Sequence, residues 1–174
     1  MENLAISVRR ATPRDAPALA ELVNEAYAIE KTFLDGDRCS EEEIAEMCEP
    51  GSRGVFLVLE QAGGLAAAVW LERRGGAGYF GMLSVRPGLQ GMGLGKRLVR
   101  IAEAMAEATG ATEMTLRIIN LREELARWYK SLGYREVGTA PFADPRSLKR
   151  PCHFVEMSKD LAVGAGVSAG MGAA

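Results

Sequence analysis

The sequence predicts an α+β fold within the broad α/β class: a mixed, mostly antiparallel central sheet of about seven strands flanked by about four helices. Three observations carry that prediction. Two apolar runs, residues 55–60 and 65–72, are joined by the short turn Gln61-Ala62-Gly63-Gly64, which sets up an antiparallel meander. A third apolar run, 79–85, passes through a glycine-rich turn into Leu94, Leu98, Ile101 and Met105, which recur at helical spacing. A strand, helix, strand succession then follows over residues 114–140.

Taken in order, Ile6-Ser7-Val8-Arg9-Arg10 alternates as a strand, and Asp15 is placed to cap a helix whose buried face is Leu19, Leu22, Val23 and Ala26. Residues 27–39 form a polar loop with an Asp35-Gly36-Asp37 turn. Ser40 and Glu43 make a capping box for a short helix with Ile44 and Met47 as its apolar stripe. The meander follows, and a second glycine-rich turn, Gly75-Gly76-Ala77-Gly78, leads into the strand at 79–85. Met114 to Ile119 alternates as a strand that Asn120 ends. Leu125, Trp128 and Leu132 then mark a helix that Gly133 closes. Strands at 134–140 and 152–158 flank a proline-containing loop at 141–151.

Length and composition set the limits. The 174 residues, 48% of them hydrophobic, suffice for one sizeable core, so residues 1–161 are expected to form one domain and the glycine- and alanine-rich stretch 162–174 a flexible tail. A net charge of -2 gives no general attraction to nucleic acid or to an acidic membrane surface, and no run of some twenty apolar residues occurs. With no secretory leader pattern, a soluble cytoplasmic protein is expected. Cys39, Cys48 and Cys152 fit no metal-ligand spacing and are expected as free thiols. His153, the sole histidine, lies in an apolar strand, and no metal site is expected.

The turn from Val85 to Lys96 carries the chemistry. Glycines without a Cβ, ahead of helix amides that lack intrahelical acceptors, form a site for a phosphate. A Walker loop is excluded, because Gln90 and Arg97 stand where it needs glycine and Ser or Thr; a dinucleotide fingerprint fails at Lys96. What remains is Gln-x-x-Gly-x-Gly (Gln90, Gly93, Gly95) after Val-x-Pro (Val85, Pro87), and this resembles the acyl-CoA pyrophosphate loop of the GNAT N-acetyltransferase superfamily. A second segment, 120–134, resembles another motif of that superfamily: Asn120, Ala126, the Trp128-Tyr129 pair and Gly133-Tyr134. The resemblance to the fold runs from about Ile6 to Leu161.

The resemblance implies transfer of an acetyl group from acetyl-CoA to a primary amine by direct attack, with no metal. The amine must lose a proton from a pKa of about 10.4, and the departing thiol titrates near about 8.5. Tyr129 is the implied acid for the CoA sulfur, with Ala126 leaving room for the thioester arm. Leu83, Ser84 and Val85 would hold the pantetheine arm through their backbone, and an amide near Leu83 would face the oxyanion. Gln90, Gly91, Met92, Gly93, Leu94, Gly95 and Lys96 would cradle the diphosphate. Asn120 would touch CoA or the sheet opening, or cap the following helix. Glu72 is the candidate base, directly or through a water, with a solvated strand end beside Arg73 and Arg74 as the alternative; Glu30 is the second candidate. The loop 27–39 would help form the acceptor side. Small amine, amino acid and protein amine remain open as acceptors, as do a homodimer and a non-catalytic acyl-CoA-binding sensor.

Overall fold

The computed structural model describes residues 5–143 and 146–162. Its strands are β1 (Ser7–Arg10), β2 (Gly54–Gln61), β3 (Gly64–Arg74), β4 (Ala77–Val85), β5 (Glu113–Ile119), β6 (Arg135–Pro141) and β7 (His153–Asp160). The helices are α1 (Ala16–Ala26), α2 (Glu41–Met47), α3 (Leu94–Ala108) and α4 (Glu123–Ser131), with single 3-10 turns at Pro13–Asp15, Ala28–Thr32 and Pro87–Leu89. From residue 163 onward, the expected tail lies outside the described residues.

All seven strands join one sheet in the order β1-β2-β3-β4-β5-β7-β6, and every neighbouring pair is antiparallel except β4 with β5. Ala62 and Gly63 both take positive φ, 53° and 77°, which matches the two-residue hairpin turn whose twist suits antiparallel strands. The β3–β4 hairpin turns on Gly75 and Gly76 alone, so Gly78, expected in the turn, is a strand residue. It is glycine because a Cβ there would stand 2.8 Å from the Ala106 Cβ on α3.

Both faces of the central strands are apolar because both are covered. Phe56 and Val58 of β2 and Trp70 of β3 pack with Leu19, Leu22, Val23 and Ile44 of α1 and α2. Leu57, Leu59 and Val69 pack on the other face with Leu98, Val99 and Ala102 of α3. The unbroken apolar run of β2 reflects burial on two sides.

Helix starts follow the sequence with one exception. Ser40 and Glu43 form the expected capping box, Glu43 N–H donating to Ser40 Oγ at 3.1 Å and Ser40 N–H to the Glu43 carboxylate at 2.8 Å. Asp15 sits at the N-cap of α1, but its carboxylate makes no cap there. It accepts two bonds from Arg9 at 2.8 Å and one from the Thr12 amide at 2.7 Å, tying β1 to the helix entry. The Arg9 guanidinium holds the Asp15 carboxyl down to about 2, from an ordinary 3.8. A depressed carboxyl stabilises the fold above its unfolded value and loses that contribution as pH falls through the folded one. Asp15→Asn is therefore expected to flatten the fall of the unfolding midpoint between pH 3.8 and about 2, measured by thermal melts across that window.

The parallel contact is short. β4 and β5 pair only from Ala77–Tyr79 against Glu113–Thr115. Beyond Tyr79, β4 stays with β3 as far as Val85, while β5 stays with β7 as far as Ile119. The sheet splits there, and the wedge lies beside the C-terminal end of β4.

Candidate active site

The glycine turn opens α3 at the end of β4. Gly91 and Gly93 have φ of +81° and +79°, and Gly93 is the N-cap. The first helical bond is Arg97 N–H to Gly93 O at 3.0 Å, and the amides from Gly91 to Lys96 donate to no protein group among the described residues. A Cβ at Gly91 or Gly93 would meet nothing within 4 Å, so the bend is open above its amides. At Gly95 it would come within 3.6 Å of both Trp128 and Val85, where α3, α4 and β4 converge. Free amides, an open bend and the positive end of a four-turn helix together favour an anion.

A cavity of about 760 Å³ extends from this turn; Leu83, Val85, Gln90 and Lys96 wall one side, Trp128 and Tyr129 the other. Tyr129 is 5% exposed, and its ring packs 5.8 Å from Phe80 and 5.9 Å from Tyr134, centroid to centroid. Its hydroxyl makes no hydrogen bond among the described residues, yet no buried side-chain oxygen there lacks a partner, so the hydroxyl must reach the cavity. Burial, with the nearby Tyr27, pushes the Tyr129 phenol well above 10. The phenol is therefore neutral at physiological pH.

Halfway along, β4 bulges. Ala68 pairs with Ser84 and Trp70 with Gly81, so Met82 and Leu83 together oppose Val69 alone, and Met82 takes φ +50°. The Ser84 hydroxyl, 1% exposed at the residue level, donates back to Met82 O at 3.0 Å across the bulge. Gly81 and Met82 line a second cavity of about 840 Å³, so consecutive residues of one strand, Met82 and Leu83, line the two cavities.

Trp70, Arg53, Arg74 and Tyr79 line that second cavity. Arg74 lies 3.4 Å over the Tyr79 ring, whose hydroxyl sits over Gly81, 3.1 Å from where a Cβ would be. Beside them Glu72 accepts from the Trp70 indole at 2.7 Å and from Arg74, and pairs with the Arg53 guanidinium at 3.0 Å. Burial, the largest influence on Glu72, pulls its carboxyl upward; the hydrogen bonds from Trp70 and Arg74, with the charges of Arg74 and Arg53, outweigh it and hold the group below the ordinary carboxylate range.

Glu30, 3% exposed, lies under the same wall, 3.1 Å from Arg146 and 3.7 Å from Arg122. Burial raises its carboxyl against the pull of the Arg146, Arg38 and Arg122 guanidinia. Tyr27, which lines the first cavity, is pushed up to about 12 by burial, and Arg38, which lines the second, lies 5.6 Å over its ring.

The structure thus brings together, around the turn and the first cavity, Leu83, Val85, Gln90, Gly91, Gly93, Leu94, Gly95, Lys96 and Tyr129. Met92 is 60% exposed at the tip of the bend and offers backbone only. Ala126 is half-buried in the core face of α4. Asn120 neither caps α4, whose N-cap is Arg122, nor lines the cavity: it ties the end of β5 to β7, its amide and its Oδ1 both engaging the His153 backbone at 3.0 and 2.9 Å. Sequence reasoning did not single out Tyr79, Arg38, Arg53 or Arg146. For Arg38 a signal existed at the level of the loop, since residues 27–39 were expected to face the acceptor.

A splayed sheet with an amide-lined turn at its split defines a site for an extended anionic ligand running along β4. Comparisons with known proteins agree. Residues 52–136 match the acetyltransferase (GNAT) domain family. Among solved structures, the ribosomal-protein-S18-alanine N-acetyltransferase of Escherichia coli shares the fold at a TM-score of 0.70 and 20% identity, over 90% of this chain and 94% of that one. The PaiA N-acetyltransferase of Thermoplasma acidophilum, solved in complex with coenzyme A, gives 0.70 at 17% identity over 90% and 99%. YncA of Salmonella typhimurium, solved with its cofactor acetyl-CoA, gives 0.71 at 21% identity over 90% and 94%. No curated protein matches the chain in sequence. Residues 52–136 thus carry the sequence of a GNAT acetyltransferase domain, and the fold of the chain is the one these acetyltransferases share. No helix among its described residues is long and apolar enough to cross a membrane.

Proposed function

We propose that this protein moves the acetyl group of acetyl-CoA to a primary amine in a ternary complex. The observation that carries the reading is a cavity headed by amides from Gly91 to Lys96 that have no protein partner among the described residues, with a second cavity lined from the adjacent residue of the Met82-Leu83 bulge. Those amides would take the diphosphate, with Gln90 and Lys96 beside them. Leu83 and Val85 would run alongside the pantetheine arm as a strand neighbour. The amine would enter from the side of Trp70, Tyr79 and Gly81.

In the transfer the amine nitrogen bonds to the thioester carbonyl carbon, charge moves to the carbonyl oxygen near the Leu83 amide, and the C–S bond breaks as the amide forms. Tyr129 gives its proton to the departing sulfur. The proton lost by the amine has two routes. Glu72 is the carboxylate of this wall, but its oxygens are already occupied by Trp70, Arg53 and Arg74, so it would act through a water and as a weak base. The arginine field itself lowers the pKa of an ammonium beside it and so eases the loss.

Two measurements test the reading together. Acetyl-CoA at about a hundredfold excess over its Kd should stabilise the protein by about 2.7 kcal/mol, a Tm rise of roughly 5–10 °C, whereas ATP and NAD should not. With an amine panel the same protein should release CoA thiol. A melt that acetyl-CoA leaves unmoved defeats the assignment; a shift without thiol release from any amine makes the chain an acyl-CoA-binding sensor instead.

A further inference from the structure

The second cavity is walled by guanidinium groups. Arg38, Arg53, Arg74 and Arg146 line it, Arg146 paired with the buried Glu30. Arg53 and Arg74 share the single carboxylate of Glu72. Arg38 has no carboxylate within salt-bridge distance among the described residues; its guanidinium lies 5.6 Å over the Tyr27 ring and acts on the buried Glu30 only at longer range. A guanidinium covered on one face by an aromatic ring keeps all five in-plane N–H donors, and the ring holds it in place. The acids that line the same cavity are engaged or turned to solvent: Asp37 pairs with Lys31 at 2.6 Å, Glu43 caps α2, and Glu46 is exposed.

This charge pattern discriminates among amines. An acceptor that carries only positive charge is repelled by the wall, while a neutral one leaves the Arg38 donors without a partner when water is displaced. A carboxylate a few bonds from the amine answers both problems: it takes the planar fork of Arg38 in a bidentate pair and leaves the nitrogen in a field that favours its neutral, nucleophilic form. Arg38 also stands at the right place for this. It lines the acceptor cavity yet stacks on Tyr27, which lines the acetyl-CoA cavity, so a group held by it lies at the boundary where transfer occurs. The volume, about 840 Å³, suits a small molecule.

We infer that the acceptor is a small amine bearing a carboxylate beside its nucleophilic nitrogen, an α-amino acid, and that Arg38 is the residue that binds this carboxylate. The inference rests on the acetyltransferase reading and deepens it.

The test compares acceptors that differ only in the anionic group. L-leucine and L-phenylalanine are assayed against their carboxamides, and against isoamylamine and phenethylamine, which lack the group, following thiol release from acetyl-CoA. At least one of the two amino acids should exceed its uncharged counterparts in kcat/KM by roughly 10- to 100-fold, the range of a charge-assisted hydrogen-bonded pair. Arg38→Gln should bring that ratio to within about threefold of one, chiefly by raising KM for the amino acid, and Arg38→Lys should restore part of it. The melting shift with acetyl-CoA, measured on each variant, reports whether the fold and the donor site are intact. Carboxamides or plain amines turning over as well as the amino acids overturn the inference and leave the transferase standing; equal carboxamide turnover would turn attention to peptide N-termini. A ratio that survives Arg38→Gln in a folded variant removes Arg38 from the role. Absence of thiol release from every acceptor overturns the transferase reading, and this inference with it.

Discussion

Gly93→Arg is expected to abolish acetyl-CoA binding while leaving a folded protein. The two halves of that expectation have separate causes. Gly93 has φ +79°, so any side chain there brings left-handed strain of about 1–2 kcal/mol, which lowers Tm by a few degrees. Nothing protein-derived lies within 4 Å of the new Cβ, and the Arg97 N–H to Gly93 O bond that starts α3 involves backbone alone, so the fold has no further reason to give way. The arginine side chain instead occupies the space above the amides from Gly91 to Lys96. Hydrogen bonds to a charged group contribute about 1.5–3 kcal/mol each, and losing two or three of them costs at least roughly 10²-fold in affinity. The Tm rise with acetyl-CoA should vanish and kcat/KM should fall by the same factor. Gly93→Ala separates strain from occlusion, since it shares the φ penalty but fills little space, and it should keep most of the shift. An arginine variant that still melts higher with acetyl-CoA would show that the diphosphate binds elsewhere.

That the turn was legible from sequence at all follows from its locality. Gly91, Gly93 and Gly95 act through their own backbone, and the helix they open is signalled by Leu94, Leu98 and Ile101 within two turns. The β2–β3 hairpin is legible for the same reason, Ala62 and Gly63 supplying the positive φ that the turn type requires. Gly78 misled because a glycine next to two others looks like turn, whereas its cause is the Ala106 methyl of a helix 28 residues on. The bulge was illegible: Met82 at φ +50° is a residue whose propensity gives no hint of it, and its register is set by pairing with β3.

The guanidinium-lined wall was hidden for a related reason. Glu30 meets Arg146 across 116 positions of sequence, and Arg53 meets Glu72 only because β2 and β3 pair in a register that sets Gly54 opposite Glu72. No spacing in the chain announces such pairs. Asp15 shows the same limit at short range, where a residue correctly placed at a helix start spends its carboxylate on Arg9 instead. Motifs whose function lies in the backbone survive in sequence; side-chain networks across elements need the fold.

Tyr129→Phe is expected to lower kcat by roughly 10²- to 10³-fold at neutral pH with acetyl-CoA binding unchanged, within the span typical of positioned proton transfer. The ring stays. Its packing on Phe80, Trp128 and Tyr134 is carried by carbon, and the hydroxyl makes no hydrogen bond among the described residues, so its removal breaks no structural contact. What disappears is a phenol that burial keeps protonated, facing the cavity that Leu83 also lines, where the proposed thioester arm would end. Because a thiol of pKa about 8.5 leaves unaided once the solution is basic enough, the defect should narrow as pH rises past that value, and a purely structural role would show no such trend. The loss should appear in kcat and kcat/KM alike, since a proton donated only as the C–S bond breaks stabilises the transition state and not the bound ground state. A Phe variant with wild-type kcat at neutral pH assigns the proton to another donor. A variant whose acetyl-CoA melting shift shrinks along with its kcat makes the hydroxyl a binding group, holding the sulfur end in place before any bond changes.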